Sequence, residues 1–283
     1  MSSKLTTTNH CSDSAGLKYI YPVISRRAGG FSIGINFNTN NSCNWRCVYC
    51  QVPDLNIGVA PEIDLQLLEN ELRSFLDSVL YGDFYEQYAI DQDKREIKDI
   101  AIAGNGEPTT LNNFPDAVGL IGKIAHEFGI FPNSRFILIT NGSLLHHSKN
   151  QDGLARLREY GGEVWFKLDS ATCEGKRFIN NSGQSLEAGI KNLILSAGLC
   201  PTKLQTCLID YDNQGFTIAE RQAFLTLLKK LREATTINEV MLYTIARPSL
   251  QPESTRIEKM PVQVMNSFAN EVRMLGFEVS VSY

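Results

Sequence analysis

The stretch IKDIAIAGNGEPTTLNNFPDAVGLIGKIAHEFGIFPNSRFILITNG, residues 97–142, holds one complete structural unit. An apolar run, 97–104, ends at a glycine and reads as a strand. The segment Phe114–Phe128 reads as a helix. A second β-branched run, 135–142, ends at Asn-Gly and reads as the next strand. Strand, helix and strand in this order predict a parallel pair joined by a right-handed crossover.

The same rhythm extends in both directions. Upstream, Ile33–Asn38 reads as a first strand, and apolar residues recur at three- and four-residue steps from Ile63 to about Leu80 as a helix. Downstream come a short helix over Gly153–Tyr160, a strand at 163–170, a helix at 185–198 closed by glycine, and a strand at 203–210. The helix Ile218–Glu233, a strand at 239–249, the helix Val262–Leu275 and a last strand at 277–282 follow. About six βα units plus a final strand predict an α/β fold, a partial (open) TIM-type barrel, in preference to a doubly wound sheet. No Pro- or Gly-rich linker divides the series. The expectation is a flexible N-terminal segment, 1–20, and one barrel domain, 21–283, with 81–98 as an irregular insertion.

Composition narrows the function classes. The 283 residues are 43% hydrophobic and 20% charged with a formal net charge of −4, which excludes the basic balance of a general nucleic-acid binder. No apolar run approaches the roughly 20 residues that span a bilayer, and the polar start lacks a secretory h-region, so a cytoplasmic protein without a membrane partner is expected. Seven cysteines, an odd number, argue against a disulfide framework.

Functional groups of parallel barrels collect at the carboxyl ends of the strands. Here those ends are Cys43–Cys50, Gly104–Pro108, Thr140–Gly142, Lys167–Ser170 and Arg247–Pro248, so the polar and reactive residues fall on one rim. The stretch SCNWRCVYCQ, 42–51, puts Cys43, Cys47 and Cys50 within eight positions. A closed zinc site wants four ligands, and a second CxxC or CxxH pair is missing. A cubane iron–sulfur cluster usually takes four cysteines; three leave one iron open to a substrate or cofactor.

CxxxCxxC with an aromatic before the last cysteine resembles the signature of the radical S-adenosylmethionine (radical SAM) superfamily. AGNGEPT, 103–109, at the next strand end resembles that family's glycine-rich segment for the methionine amino group. PVISRRAGGFSIGIN, 22–36, with CVYCQ, and the later YTIARPS, 243–249, are similar to a branch related to the wyosine-forming tRNA enzymes. The resemblance spans roughly Tyr21–Ser249. It implies a 4Fe–4S cluster on Cys43, Cys47 and Cys50, with the fourth iron bound by S-adenosylmethionine. It implies reductive cleavage of that cofactor to a 5′-deoxyadenosyl radical, which abstracts hydrogen from a substrate. A reducing partner such as flavodoxin or ferredoxin, and tRNA or a small molecule as substrate, follow from the same likeness.

The remaining rim residues have paired readings. Gly104, Asn105, Gly106, Glu107 and Pro108 hold the cofactor's amine or make a simple turn; Glu107 would accept from an ammonium. Tyr49 packs on adenine or is a core aromatic. Thr140 and Asn141 touch the ribose or methionine portion or form a strand-to-helix turn. Lys167 and Asp169 contact ribose or carboxylate or pair with each other. Arg247 clamps a cofactor carboxylate or a substrate anion, and Arg26 and Arg27 divide between solvent and ligand. Cys11, Cys173, Cys200 and Cys207 are too dispersed for a second cluster, whereas the wyosine-forming enzymes carry a further cysteine set upstream. The alternative class is a non-catalytic iron–sulfur electron carrier or zinc-binding structural protein, which needs no amine-binding loop.

Overall fold

Apolar side chains on both faces of a strand call for cover on both sides, and the strands here obtain it. The computed structural model describes residue 5 and residues 16–283. Most of the expected flexible segment 1–20, and Cys11, lie outside the described residues. Where that segment is described it is tied down: Leu5 is buried, and the Lys18 and Tyr19 amides donate to the buried Glu71 carboxylate at 2.8 Å each.

The chain runs β1 (Ile20–Ser25), β2 (Gly30–Ile35), β3 (Ser42–Cys43), β4 (Asn56–Ile57), α1 (Leu65–Tyr81), α2 (Phe84–Gln87), β5 (Ile97–Ile102), α3 (Phe114–Glu127) and β6 (Arg135–Thr140). It continues through α4 (Ser148–Glu159), β7 (Glu163–Lys167), α5 (Cys173–Asn180), α6 (Leu186–Leu199), β8 (Thr202–Cys207) and β9 (Ile209–Tyr211). Last come α7 (Ile218–Ala234), β10 (Glu239–Tyr243), β11 (Ile257–Lys259), α8 (Val262–Met274) and β12 (Glu278–Ser282). One eight-stranded sheet has the order β1-β2-β5-β6-β7-β8-β10-β12. Its last seven strands are parallel, the expected six units and final strand. The edges β1 and β12 are not paired with each other, so the barrel is open.

Alternation along the strands sorts side chains into two cores. Ile100, Ile102, Phe136, Leu138, Val164, Phe166, Leu204 and Val240 face outward to the helices. Ala101, Ile137, Trp165 and Met241, with Ile139, fill the inside of the barrel. Beneath them Lys203 bridges Glu163 at 3.0 Å and Glu239 at 2.8 Å, closing the end opposite the rim. Among the described residues no helix is long and apolar enough to cross a membrane.

Several boundaries differ from expectation. The antiparallel β1 went unread, although IYPVIS alternates and RRAGG turns; Gly29 takes φ +78° there. Gly34 lacks a side chain because the Tyr21 ring crosses it: an added Cβ would lie 2.2 Å from that ring. The supposed insertion 81–98 carries core, since Phe84 packs on Phe31 and Phe75 with ring centroids 5.5 and 5.0 Å apart. Helix α6 is not closed by glycine; it runs through Gly198 and ends when the Cys200 amide bonds Ser196. The run 203–210 divides at Leu208, after which β9 pairs with β11.

Candidate functional site

Each parallel strand releases its chain at the rim, and the released segments enclose a cavity of about 590 Å³. Cys43, Cys47 and Cys50 line one wall. Gly104, Asn105, Gly106, Glu107 and Asn141 line the wall beside them, and Lys167, Gln205, Tyr243, Arg247, Arg26 and Arg27 line the rest.

The cysteine loop is held from four sides. Asn44 donates to the Ser143 hydroxyl at 2.7 Å and accepts from the Asn141 amide group at 2.9 Å. The Val48 amide bonds the Ile179 carbonyl, and Asn181 donates to the Arg46 carbonyl. Arg46 makes a two-pronged pair with Glu253, both contacts 2.7 Å. Ser249 donates to the Val48 carbonyl at 2.7 Å, and Gln51 donates to the Arg247 carbonyl.

Each sulfur also meets an N–H donor. The Trp45 amide points at Cys43 Sγ at 3.5 Å, Asn180 Nδ2 donates to Cys47 Sγ at 3.3 Å, and the Val52 and Gln51 amides face Cys50. Burial nevertheless pushes the Cys43 thiol up to about 12 and the Cys47 thiol up to about 11, and raises Cys50 as well. Burial thus disfavours the thiolates, Lys167 opposes it at Cys47 and Cys50, and a bound cation would favour them further. No three His, Cys, Asp or Glu side chains among the described residues gather closely enough to hold one metal ion. Three thiols spread along a wall with directed N–H donors fit a cluster, in which each sulfur takes a different iron, better than a single zinc.

The GNGEP segment packs closely against the chain around the cysteine loop. A Cβ on Gly106 would lie 2.0 Å from the Ser42 carbonyl oxygen. Gly104, at φ +151°, leaves room for the Asn36 side chain. Asn36 Oδ1 in turn accepts from the Asn38 and Asn105 amides at 3.0 Å. Glu107 is 2% exposed, and its carboxylate is largely engaged. Oε1 accepts from the Thr109 amide, the Thr109 hydroxyl and the Thr140 hydroxyl at 3.1, 2.5 and 2.6 Å; Oε2 accepts from the Asn141 amide at 2.7 Å. One acceptor position on Oε2 remains open. Burial raises the Glu107 carboxyl, with these four bonds opposing it.

Other rim residues are ties. Thr140 holds Glu107, is 1% exposed and does not line the cavity; Pro108 starts a single 3₁₀ turn behind it. The Asp169 side chain is fully buried outside the main cavity, accepting from Tyr49 OH, from Asn180 at 2.7 Å and from the Cys207 amide at 2.9 Å. Thr140, expected at the ribose or methionine portion, and Asp169, expected at ribose or carboxylate, thus have their side-chain polar atoms engaged within the protein, and Pro108, expected with the amine-binding segment, supports Glu107 from behind. Tyr49 lines the cavity and joins the cysteine loop to the end of β7. Lys167 Nζ lies 3.9 Å from Asp169, donates to Tyr243 OH at 2.8 Å and sits 4.9 Å from the Tyr49 ring centroid. Burial works most strongly against its charge, but Asp169 together with Tyr243, Cys47 and Cys207 outweighs it and holds the ammonium above its ordinary range. Arg247 lines the cavity with Nε unpaired; burial, then Arg26, lowers its pKa.

Asn44, Asn180, Gln205 and Tyr243 were missed. Asn180 ends α5, a helix announced by Thr172, whose hydroxyl caps the Gly175 amide. Tyr243 opens the YTIARPS stretch, which marks its neighbourhood but not its contact with Lys167, and Gln205 reads as an ordinary strand residue.

A family model described as the Radical SAM superfamily matches residues 37–215, well over half of the chain. A radical SAM methyltransferase from Sphaerobacter thermophilus superposes with a TM-score of 0.61 at 16% identity, covering 93% of this chain and 68% of that one. The structure of TYW1 with a lysine-pyruvate adduct bound gives 0.57 at 15% identity, covering 94% and 78%. At such identities these likenesses concern the fold. A protein named GTPase Obg, from Brachyspira hyodysenteriae (strain ATCC 49526 / WA1), is 27% identical over 135 residues, 47% of this chain; the chain spans 17% of its length.

Proposed function

The chain belongs to the radical SAM superfamily, and from that premise we propose that Cys43, Cys47 and Cys50 hold its 4Fe–4S cluster while the adjoining strand-end wall binds S-adenosylmethionine. Enzymes of this family use both groups. When bound and reduced, the pair supplies an electron that breaks the cofactor's S–C5′ bond and so furnishes a hydrogen-abstracting radical.

The chain's own residues do the rest. The N–H donors on the three sulfurs stabilise the thiolate form and set ligand orientation. Gly104, Asn105 and Gly106 present main chain to the cofactor's amino group, with Glu107 Oε2 as a further acceptor. Asn141 borders the same wall, and Tyr49 with Lys167 closes the side toward β7, excluding water from the reacting centre. Thr140, Pro108 and Asp169 hold these groups in place. The observation that carries the reading is the convergence of three unpaired thiols, each facing an N–H donor, with the GNGE wall on one cavity.

The substrate is a small molecule or an RNA, and flavodoxin or ferredoxin is the proposed electron donor. The alternative, an electron carrier, has no use for the GNGE wall or for a 590 Å³ cavity beside the thiols. Anaerobic reconstitution with iron and sulfide, then EPR of the reduced protein, tests the reading. A cluster signal that changes on addition of S-adenosylmethionine is expected; one indifferent to it would leave only the electron carrier.

A further inference from the structure

We propose that the part of the cavity away from the cysteines is a substrate site for a small molecule carrying a carboxylate or phosphate: Arg26, Arg27 and Arg247 take the anion, and Gln205 pairs with an amide-like group beyond it. The inference rests on the proposed function in assigning the cysteine side of the cavity to the cofactor.

The first observation is unbalanced charge. Arg26, Arg27 and Arg247 all line the cavity, and among the described residues none forms an ion pair with an Asp or Glu side chain. Among the described residues Arg26 donates to oxygens of Tyr283 and Thr244 and to no other group. The Arg27 guanidinium lies 5.2 Å from the Tyr243 ring centroid and 5.9 Å from that of Trp165, and Arg247 Nε is buried without a partner. Burial, then the charge of a neighbouring guanidinium, lowers the pKa of both Arg26 and Arg247. Arg26 and Arg247 are half-buried and Arg27 is exposed beside them; cations clustered on one cavity in this way are relieved by an anion shared among them. The nearby acids do not serve: Asp169 is committed to Tyr49, Asn180 and Cys207, and Asp99 sits deeper with Ser32.

The second observation is independent. Gln205 is 0% exposed, and both atoms of its carboxamide lack a hydrogen-bond partner although the side chain lines the cavity. It lies in register with Lys167 on one side and Met241 on the other, and Lys167 donates to Tyr243, over which Arg27 sits. Buried amides left unpaired are rare and costly. A carboxamide offers a donor and an acceptor in one plane, which suits another amide edge. An anion at the guanidiniums with an amide-like edge reaching Gln205 satisfies both.

The test is calorimetric titration of the full-length protein at fixed ionic strength with inorganic phosphate, butyrate and succinamate, which adds a carboxamide to a carboxylate. Saturable binding is expected, with phosphate against butyrate identifying the preferred anion. Arg27→Gln and Arg247→Gln each weaken it roughly tenfold. Succinamate binds several-fold tighter than butyrate, and Gln205→Leu abolishes that preference. If Gln205 served only the fold, Gln205→Leu would lower the denaturation midpoint; removal of an unpaired buried amide leaves it unchanged or higher. Should a variant fold poorly, sulfate competition on the wild-type protein reports on the same site. The inference is overturned if no probe binds saturably, or if neither arginine change alters affinity. Anion binding without cofactor cleavage would instead overturn the proposed function and leave this site standing.

Discussion

Replacing Glu107 by glutamine isolates what holds the GNGE wall together. The carboxylate accepts from two backbone amides on opposite sides, Thr109 at Oε1 and Asn141 at Oε2, and from two hydroxyls at Oε1. A carboxamide has one oxygen. The threonine hydroxyls can reorient to accept from its NH₂ group, but the backbone amides cannot. In either orientation one buried N–H therefore faces another N–H. Loss of a charge-assisted bond costs about 1.5–3 kcal/mol, and the opposed donor adds to it. Burial already raises the carboxyl's pKa, so a neutral side chain recovers part of that cost. The net expectation is a loss of about 2 kcal/mol, a fall in Tm of roughly 4–8 °C. Urea unfolding and hydrogen exchange at the Asn141 amide measure it. Asn141 also ties down Asn44 in the cysteine loop, so affinity for S-adenosylmethionine falls with it. A variant within about 0.5 kcal/mol of wild type, with Asn141 exchange unchanged, would refute the reasoning.

Other outcomes follow from particular contacts. Gly106→Ala drives a Cβ to 2.0 Å from the Ser42 oxygen, so the two loops must part; a loss of about 2 kcal/mol or more and reduced iron content on reconstitution are expected. Asn180→Ala removes a donor from Cys47 and from Asp169, so the cluster's reduction potential should move to a more negative value in voltammetry. Asp99 is 1% exposed, and burial pushes its carboxyl up to about 6 from an ordinary 3.8, with the Ser32 hydroxyl opposing. The folded state thus binds this proton more tightly than the unfolded chain. The stability this contributes is complete below about pH 4 and is lost as pH rises through about 6, at most about 3 kcal/mol. Asp99→Asn should remove that slope from unfolding free energies measured between pH 4 and 7, and parallel curves for the two proteins would contradict it.

The seven parallel strands were legible because strands covered on both faces read as continuous apolar runs such as IAIAG and FILIT. Their ends were not, since the rim residues that leave the ladder keep the same alternation; this is why 239–249 extends past the true end at Tyr243. The β1 hairpin escaped because its pairing partner is the strand after it in an otherwise crossover-built sheet. In the site, spacing alone grouped the three cysteines. The division between ligand-facing and supporting polar residues was hidden, because Thr140, Asp169 and Asn141 are the same kinds of side chain whether they meet a cofactor or one another. Gln205 was hidden for the opposite reason: what marks it is the lack of a partner, visible only when all neighbours are placed.

The central claim, that the Cys43–Cys47–Cys50 loop and the GNGE wall form one radical-generating site, is tested most directly by product formation. Reconstituted, dithionite-reduced protein incubated anaerobically with S-adenosylmethionine should form 5′-deoxyadenosine, and Cys43→Ala, Cys47→Ala and Cys50→Ala should each abolish it. A protein that shows a 4Fe–4S spectrum yet forms no more 5′-deoxyadenosine than those variants would contradict the account.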